Sequence, residues 1–141
     1  MTEPIQTRAL FEIDVDLEAP PALTGPGPQG ARIIVEARRG RFQGERLRGT
    51  VRGPGGDWVT VRADGSVKLD VRLVLETHDG ATILMTYNGI GIPRDDGKLS
   101  LRTAPLFETG DDRYTWLNRI QAVANGVGDT ESVTYTVHEV L

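Results

Sequence analysis

Residues 64–81 read DGSVKLDVRLVLETHDGA. Val67, Leu69, Val71, Leu73 and Leu75 fall on one side of an extended chain, and Lys68, Asp70, Arg72 and Glu76 on the other. A period of two with unlike faces marks a β-strand. Asp64-Gly65 and Asp79-Gly80 bound it. Asp-Gly is the favoured pair for a two-residue type I′ hairpin loop, because both loop residues need positive φ. The segment is therefore expected to be the middle of three antiparallel strands, flanked by residues 57–62 and 81–88.

The pattern continues in both directions. In residues 10–17, Phe11, Ile13, Val15 and Leu17 alternate with Glu12, Asp14 and Asp16. Residues 32–38 form a second strand. Gly40, Gly44 and Gly49 then punctuate a bent region with short strands around Phe42 and over 47–52, and Gly53-Pro54-Gly55-Gly56 reads as a turn. Residues 99–103, 113–118, 120–124 and 132–140 supply further strands. Residues 114–124 also fit an amphipathic helix on spacing, but their aromatics favour strand. Residues 1–9 are a polar N-terminal segment. Residues 19–30 are a Pro/Gly-rich connection, in which Pro20, Pro21, Pro26 and Pro28 remove ladder donors. Many short strands joined by tight turns make a sandwich or a barrel. A barrel leaves no long strand as an exposed edge. The expectation is one all-β domain over residues 1–141: a small closed antiparallel β-barrel, lipocalin-like in size, with little helix.

Composition narrows the function classes. At 141 residues, 38% hydrophobic and 26% charged, the chain can bury one core and is not a disordered sequence. Cysteine is absent, which excludes thiolate nucleophiles, disulfides and Cys-based zinc sites. The N-terminus lacks an apolar signal core and no run suits a membrane helix, so a cytoplasmic protein with no membrane partner is expected. The net charge of -4 argues against nucleic-acid binding. Arg38, Arg39, Arg41, Arg46, Arg48 and Arg52 are a local exception, read as outward-facing because only Phe42 nearby could stack on a base. His78 and His138 are too few for a histidine-rich metal site, and the glycines follow no P-loop or dinucleotide pattern. Neither a metal nor a cofactor is expected.

The two hairpins imply a register. If both loops have two residues, Asp57 faces Arg72, Val59 faces Asp70, and Arg72 faces Tyr87. Directly opposed residues share a face. Asp57, Asp70, Arg72 and Tyr87 would then converge, with Asp57 salt-bridged to the directly opposed Arg72, Asp70 left free as the base, Arg72 anchoring an oxyanion or carboxylate, and Tyr87 or Tyr114 donating a hydrogen bond. A slip of one residue in either loop would undo the set. The same pattern also fits an exposed Asp–Arg pair, since the opposite face (Trp58, Leu69, Val71, Leu73, Leu75) is the more apolar. If the polar face lines the barrel, Leu69, Val71, Leu73 and Leu75 lie outside under a second subunit, so a homodimer or higher homo-oligomer is expected.

A second concentration runs from Arg102 to Asn118. It holds Arg102, Pro105, Phe107, Glu108, Tyr114, Trp116 and Asn118. Aromatic walls with a few amides and carboxylates suit a small-ligand pocket, although Tyr114 and Trp116 equally suit a core with satisfied polar tips.

The order and spacing of several segments resemble a bacterial and fungal family known as domain of unknown function 3237. They are Gly30-Ala31-Arg32, Gly40-Arg41-Phe42-Gln43-Gly44, Gly55-Gly56-Asp57-Trp58, Asp64-Gly65, Leu69-Asp70-Val71-Arg72, Glu76-Thr77-His78-Asp79-Gly80, Phe107-Glu108-Thr109 and Tyr114-Thr115-Trp116-Leu117-Asn118. The resemblance implies a compact antiparallel barrel, often oligomeric, and no established general reaction. It marks Asp57, Trp58, Asp70, Arg72, Glu108, Tyr114, Trp116 and Asn118 as signature positions. The chain departs from the family pattern at Arg39-Gly40, where Gly-Gly is usual, and at Leu101, where an aromatic is common.

The functional expectation is a barrel that binds a small molecule: a cofactor-free enzyme doing proton-transfer chemistry (isomerisation, elimination, hydration or cyclisation) on a small cyclic or aromatic carbonyl compound. Asp57, Asp70, Arg72 and Tyr87 are the candidate catalytic residues. Trp58, Arg102, Glu108, Tyr114, Trp116 and Asn118 are the candidate ligand-binding residues. The alternative is a non-catalytic carrier or sensor.

Overall fold

The structure is a computed structural model that describes residues 2–141. Its strands are β1 (Thr7–Gly27), β2 (Gly30–Gln43), β3 (Arg48–Val61), β4 (Val67–Thr77), β5 (Thr82–Pro93), β6 (Leu99–Thr103), β7 (Leu106–Glu108), β8 (Ala122–Gly128) and β9 (Ser132–Val140). A 3-10 turn, Thr115–Arg119, lies between β7 and β8. Strands make up 69% of the chain, which settles the all-β class. Eight of them close an antiparallel barrel in the order β1, β2, β3, β4, β5, β6, β8, β9, with β9 pairing back onto β1. The short β7 continues β6's register along β5, after an interruption at Ala104-Pro105 where proline offers no N–H. Among the described residues no helix is long and apolar enough to cross a membrane.

Both hairpins that fix the middle of the sheet have three-residue loops, not two. Arg62 N donates to Ser66 O and Thr77 N to Ala81 O, each at 2.9 Å. Gly65 and Gly80 take the left-handed last loop position, at φ 86° and 91°. That is the three-residue hairpin with a glycine bulge. The turn aspartates act through their side chains. Asp64 Oδ1 accepts from Ser66 N at 2.9 Å, and Asp79 Oδ1 accepts from Thr77 Oγ1 at 2.6 Å. Each register therefore slips by one from the expected pairing: Asp57 opposes Val71, Val71 opposes Tyr87, and Arg72 lies between Gly56 and Thr86.

The slip puts Asp57 and Tyr87 on the same face as Val71, and that apolar face is the one inside. Val67, Leu69, Val71, Leu73 and Leu75 are all buried in the core. They do not form an outer surface under a second subunit, and the face-based argument for an oligomer goes with them. Asp70 and Arg72 lie on the outer face, so the expected convergence of Asp57, Asp70, Arg72 and Tyr87 does not form: Asp57 is not the ion-pair partner of Arg72, and Asp70 is not placed to act as the base.

Three local expectations also change. Residues 19–27 are strand, not connection, and continue β1 beside β2 through register shifts at Glu18/Ala22 and Leu23/Gly25. Pairing of β1 with β9 ends at Asp16 and Ser132. Pro20, Pro21 and Pro26 thus occupy a strand with one free edge, where proline is tolerated. Gly53-Pro54-Gly55-Gly56 lies within β3, where the registers with β2 and β4 both shift. Residues 113–118 are turn and 3-10 helix, not strand.

One end of the barrel is solid. The Phe11 ring packs on Phe42 and Phe107 with centroids 5.4 and 5.9 Å apart, and Leu117 of the 3-10 turn is fully buried. The other end is hollow.

Candidate functional site

The hollow end holds a cavity of about 70 Å³. Its walls are inward-facing residues of successive strands: Val15 and Leu17, Val35 and Ala37, Val59, then Leu69, Val71 and Leu73, with Leu99, Leu101 and Val133 completing the ring. Alternation dictates this lining, because each strand sends every second residue inward. Asp57, Tyr87 and Tyr135 bring polar groups to the wall, and Asp129 and Thr130 stand where β8 passes into β9. Among the described residues that line it there is no lysine, arginine or histidine.

Asp57 occupies a position that pairing would otherwise give to an apolar residue, between Val35 of β2 and Val71 of β4. Just beyond it the β3–β4 ladder opens, and Trp58, Val59, Leu69 and Asp70 are unpaired there. The Asp57 carboxylate fills in for a backbone carbonyl: its Oδ1 accepts the Asp70 N–H at 3.1 Å. Burial pushes the Asp57 carboxyl up to about 6. The Asp70 N–H opposes that rise, and the Asp70 charge adds to it. A carboxyl with that value carries its proton part of the time near neutral pH, which suits an acid–base group.

The tyrosines face Asp57 from two other strands. Tyr87 and Tyr135 pack edge to face, with ring centroids 5.3 Å apart. Burial raises both phenols above their ordinary range; for Tyr87 the Tyr135 neighbour and then the Asp57 charge add to the rise, and for Tyr135 the Tyr87 hydroxyl opposes it while the Asp57 charge adds to it. Both remain neutral donors at any ordinary pH. Tyr135 sits opposite Gly126 of β8, and a Cβ there would collide with the Tyr135 ring. The glycine lets the ring lie across the neighbouring strand.

Of the residues singled out from sequence, Asp57 and Tyr87 line this cavity. The others lie elsewhere. Trp58 is on the outer face with the Arg72 guanidinium 5.6 Å from its ring centroid, and Asp70 there opposes Asn88. Arg102 is exposed and donates to Leu101 O at 2.9 Å, and Glu108 is exposed opposite Leu84. Tyr114 Oη donates to the Asp79 carboxylate at 2.9 Å. Trp116 lies under Arg46, 3.8 Å from guanidinium carbon to ring centroid, and its Nε1 donates to Arg113 O. Asn118 Oδ1 accepts from Thr109 N at 2.8 Å, and its Nδ2 donates to Thr109 O at 2.9 Å. Tyr114, Trp116 and Asn118 thus fasten the solid end. Sequence reading missed Tyr135. Its signal was a phenol within the alternating run Val133, Tyr135, Val137, which faces the core.

Known proteins resemble this chain in sequence and in fold. A UPF0311 protein of Rhodopseudomonas palustris is 29% identical over all of both chains. A solved β-barrel-like protein of Acinetobacter baumannii superposes with a TM-score of 0.91 at 28% identity, covering 100% of this chain and 99% of that one. A protein of Penicillium herquei named as a hydroalkoxylation enzyme is 36% identical over 84 residues, 59% of this chain and 49% of that enzyme. The model of the family described as protein of unknown function DUF3237 matches residues 5–140, and the chain belongs to that family.

Proposed function

We propose that the hollow end binds the reacting part of a small neutral molecule and transfers protons to and from it through Asp57. The observation that carries this reading is a carboxyl raised to about 6, held in an apolar cavity with two phenols as its companions. A protonated Asp57 can give its proton to one atom of a substrate, and the resulting carboxylate can take one back from another. The net change in protonation of Asp57 is zero, so the cycle needs no external acid or base; hydration draws its O–H from water, and cyclisation from the substrate's own hydroxyl. Tyr87 and Tyr135 would hold a carbonyl or hydroxyl oxygen by donating to it, as donors aimed at developing negative charge do.

Isomerisation, hydration and cyclisation all fit such a cycle. So does the addition of an alcohol O–H across a double bond, the reaction class in the name of the Penicillium herquei relative. The absence of a cation from the described lining points away from a carboxylate or phosphate substrate. Arg72 lies on the outer face and is not the anchor in this reading.

The test is turnover of a panel of neutral enols, enones and hydroxyalkenes by the wild type and Asp57→Asn. Loss of turnover in the variant, with binding retained, supports the proposal. Equal turnover by both proteins would remove Asp57 from the chemistry. Binding by both with turnover by neither would favour a carrier.

A further inference from the structure

The cavity is small for a complete ligand. An engineered apolar cavity that takes up benzene measures about 150 Å³, roughly twice the 70 Å³ here. The apolar face that lines it does not stop at the rim. Val59 lines the cavity and is directly opposed by Ile33 of β2, which is directly opposed by Leu23 of β1. Opposed residues share a face, so Val59, Ile33 and Leu23 are one apolar row. The row runs from the cavity onto the part of β1 that has left β9 behind. Ile33 is only half-buried, and Leu23 is 69% exposed. Leu17, Leu99 and Val133, each partly buried, stand on other strands around the same lining.

Resting on the site reading above, we propose that the ligand is a neutral oxygen-bearing head with an unbranched or lightly branched apolar tail. The head enters the cavity beside Asp57, Tyr87 and Tyr135, and the tail lies along Val59, Ile33 and Leu23. Two inter-strand spacings separate Val59 from Leu23, so the tail has about 10 Å of sheet to cover. Continuity of this row with the lining favours a tail over a separate protein partner. An isolated docking patch would not need to begin inside the barrel.

The experiment is calorimetric titration with straight-chain methyl ketones from 2-butanone to 2-decanone, with side-chain NMR of Tyr87 and Tyr135. The wild type is expected to gain about fourfold in affinity per added methylene, up to the length that reaches Leu23. In Leu23→Ser/Ile33→Ser the short ketones should bind as before and the gain should stop early. Leu106→Ser, at a leucine 50% exposed on β7, should leave the series unchanged. A flat series in the wild type while the tyrosine signals still move would overturn the tail and leave the head site standing. A series that climbs equally in the double variant would also overturn it. If that variant instead lowers the mass seen by light scattering and leaves the series intact, the row belongs to a second copy of the chain and the proposal fails. If no ketone moves the tyrosine signals, both the tail and the head site fall.

Discussion

Asp57 Oδ1 accepts the backbone N–H of Asp70 at 3.1 Å, so one aspartate lines the cavity while the other contributes to it only through its main chain and its charge. The strand pair opens to let this happen. The bond works against burial, and what remains is a carboxyl poised near 6 instead of one forced fully neutral.

That balance predicts an unusual pH dependence. The folded-state value of Asp57 lies above its ordinary 3.8, so the native state holds the proton more tightly than the unfolded chain. The native state should lose stability as pH rises from about 4 to about 6, by of order 2–3 kcal/mol from this group. Urea titrations of wild type and Asp57→Asn at several pH values check this. The variant should gain on the wild type across that window and be the more stable of the two at pH 7.5.

Glu139 predicts the opposite slope at the solid end. Its buried carboxylate accepts from Arg8 Nε at 2.9 Å and Arg46 Nη1 at 3.0 Å, which hold it below the usual carboxylate range. Its contribution is present above pH 4.5 and fades as pH falls below that. Glu139→Gln should cost about 1–2 kcal/mol at pH 7. The gap between wild type and variant should narrow at pH 3.5, as read by urea unfolding at both values.

Gly126→Ala places a methyl group against the Tyr135 ring. The ring must tilt toward the cavity or the strands must part. A stability loss of about 1–3 kcal/mol is expected, together with weaker ketone binding. Thermal unfolding and near-ultraviolet circular dichroism of the tyrosines report the two effects.

Tyr114→Phe separates fastening from binding. It deletes the hydroxyl that donates to Asp79 and touches nothing in the cavity. The cost should be about 1 kcal/mol in chemical unfolding, with methyl ketone affinity within about twofold of wild type.

Sequence alone determined the architecture. Alternation in residues 10–17 and 67–77, with glycine turns between runs, reports which residues can share a face, and that is a local property of an extended chain. The absent cysteine and the lack of phosphate-binding glycines are equally readable without a fold. The cavity lining was only partly legible. Asp57 and Tyr87 were named through a register that set both against Arg72, whereas the structure sets both against Val71; Tyr135 was not named, because nothing local says that its ring crosses to Gly126. What tertiary structure decided was which face closes inward. Asp-Gly fits two-residue and three-residue hairpins alike, and the choice depends on how the Asp64 and Asp79 side chains bond across their loops. With a period of two, that one extra residue in each loop paired Asp57 with Val71 instead of Arg72, and so carried Asp57 and Tyr87 onto the face of Leu69, Val71, Leu73 and Leu75 that packs the core, with Arg72 on the other side. The prolines of residues 19–27 became strand for a similar reason: only the point where β9 ends, far away in sequence, leaves β1 a free edge that needs no donors.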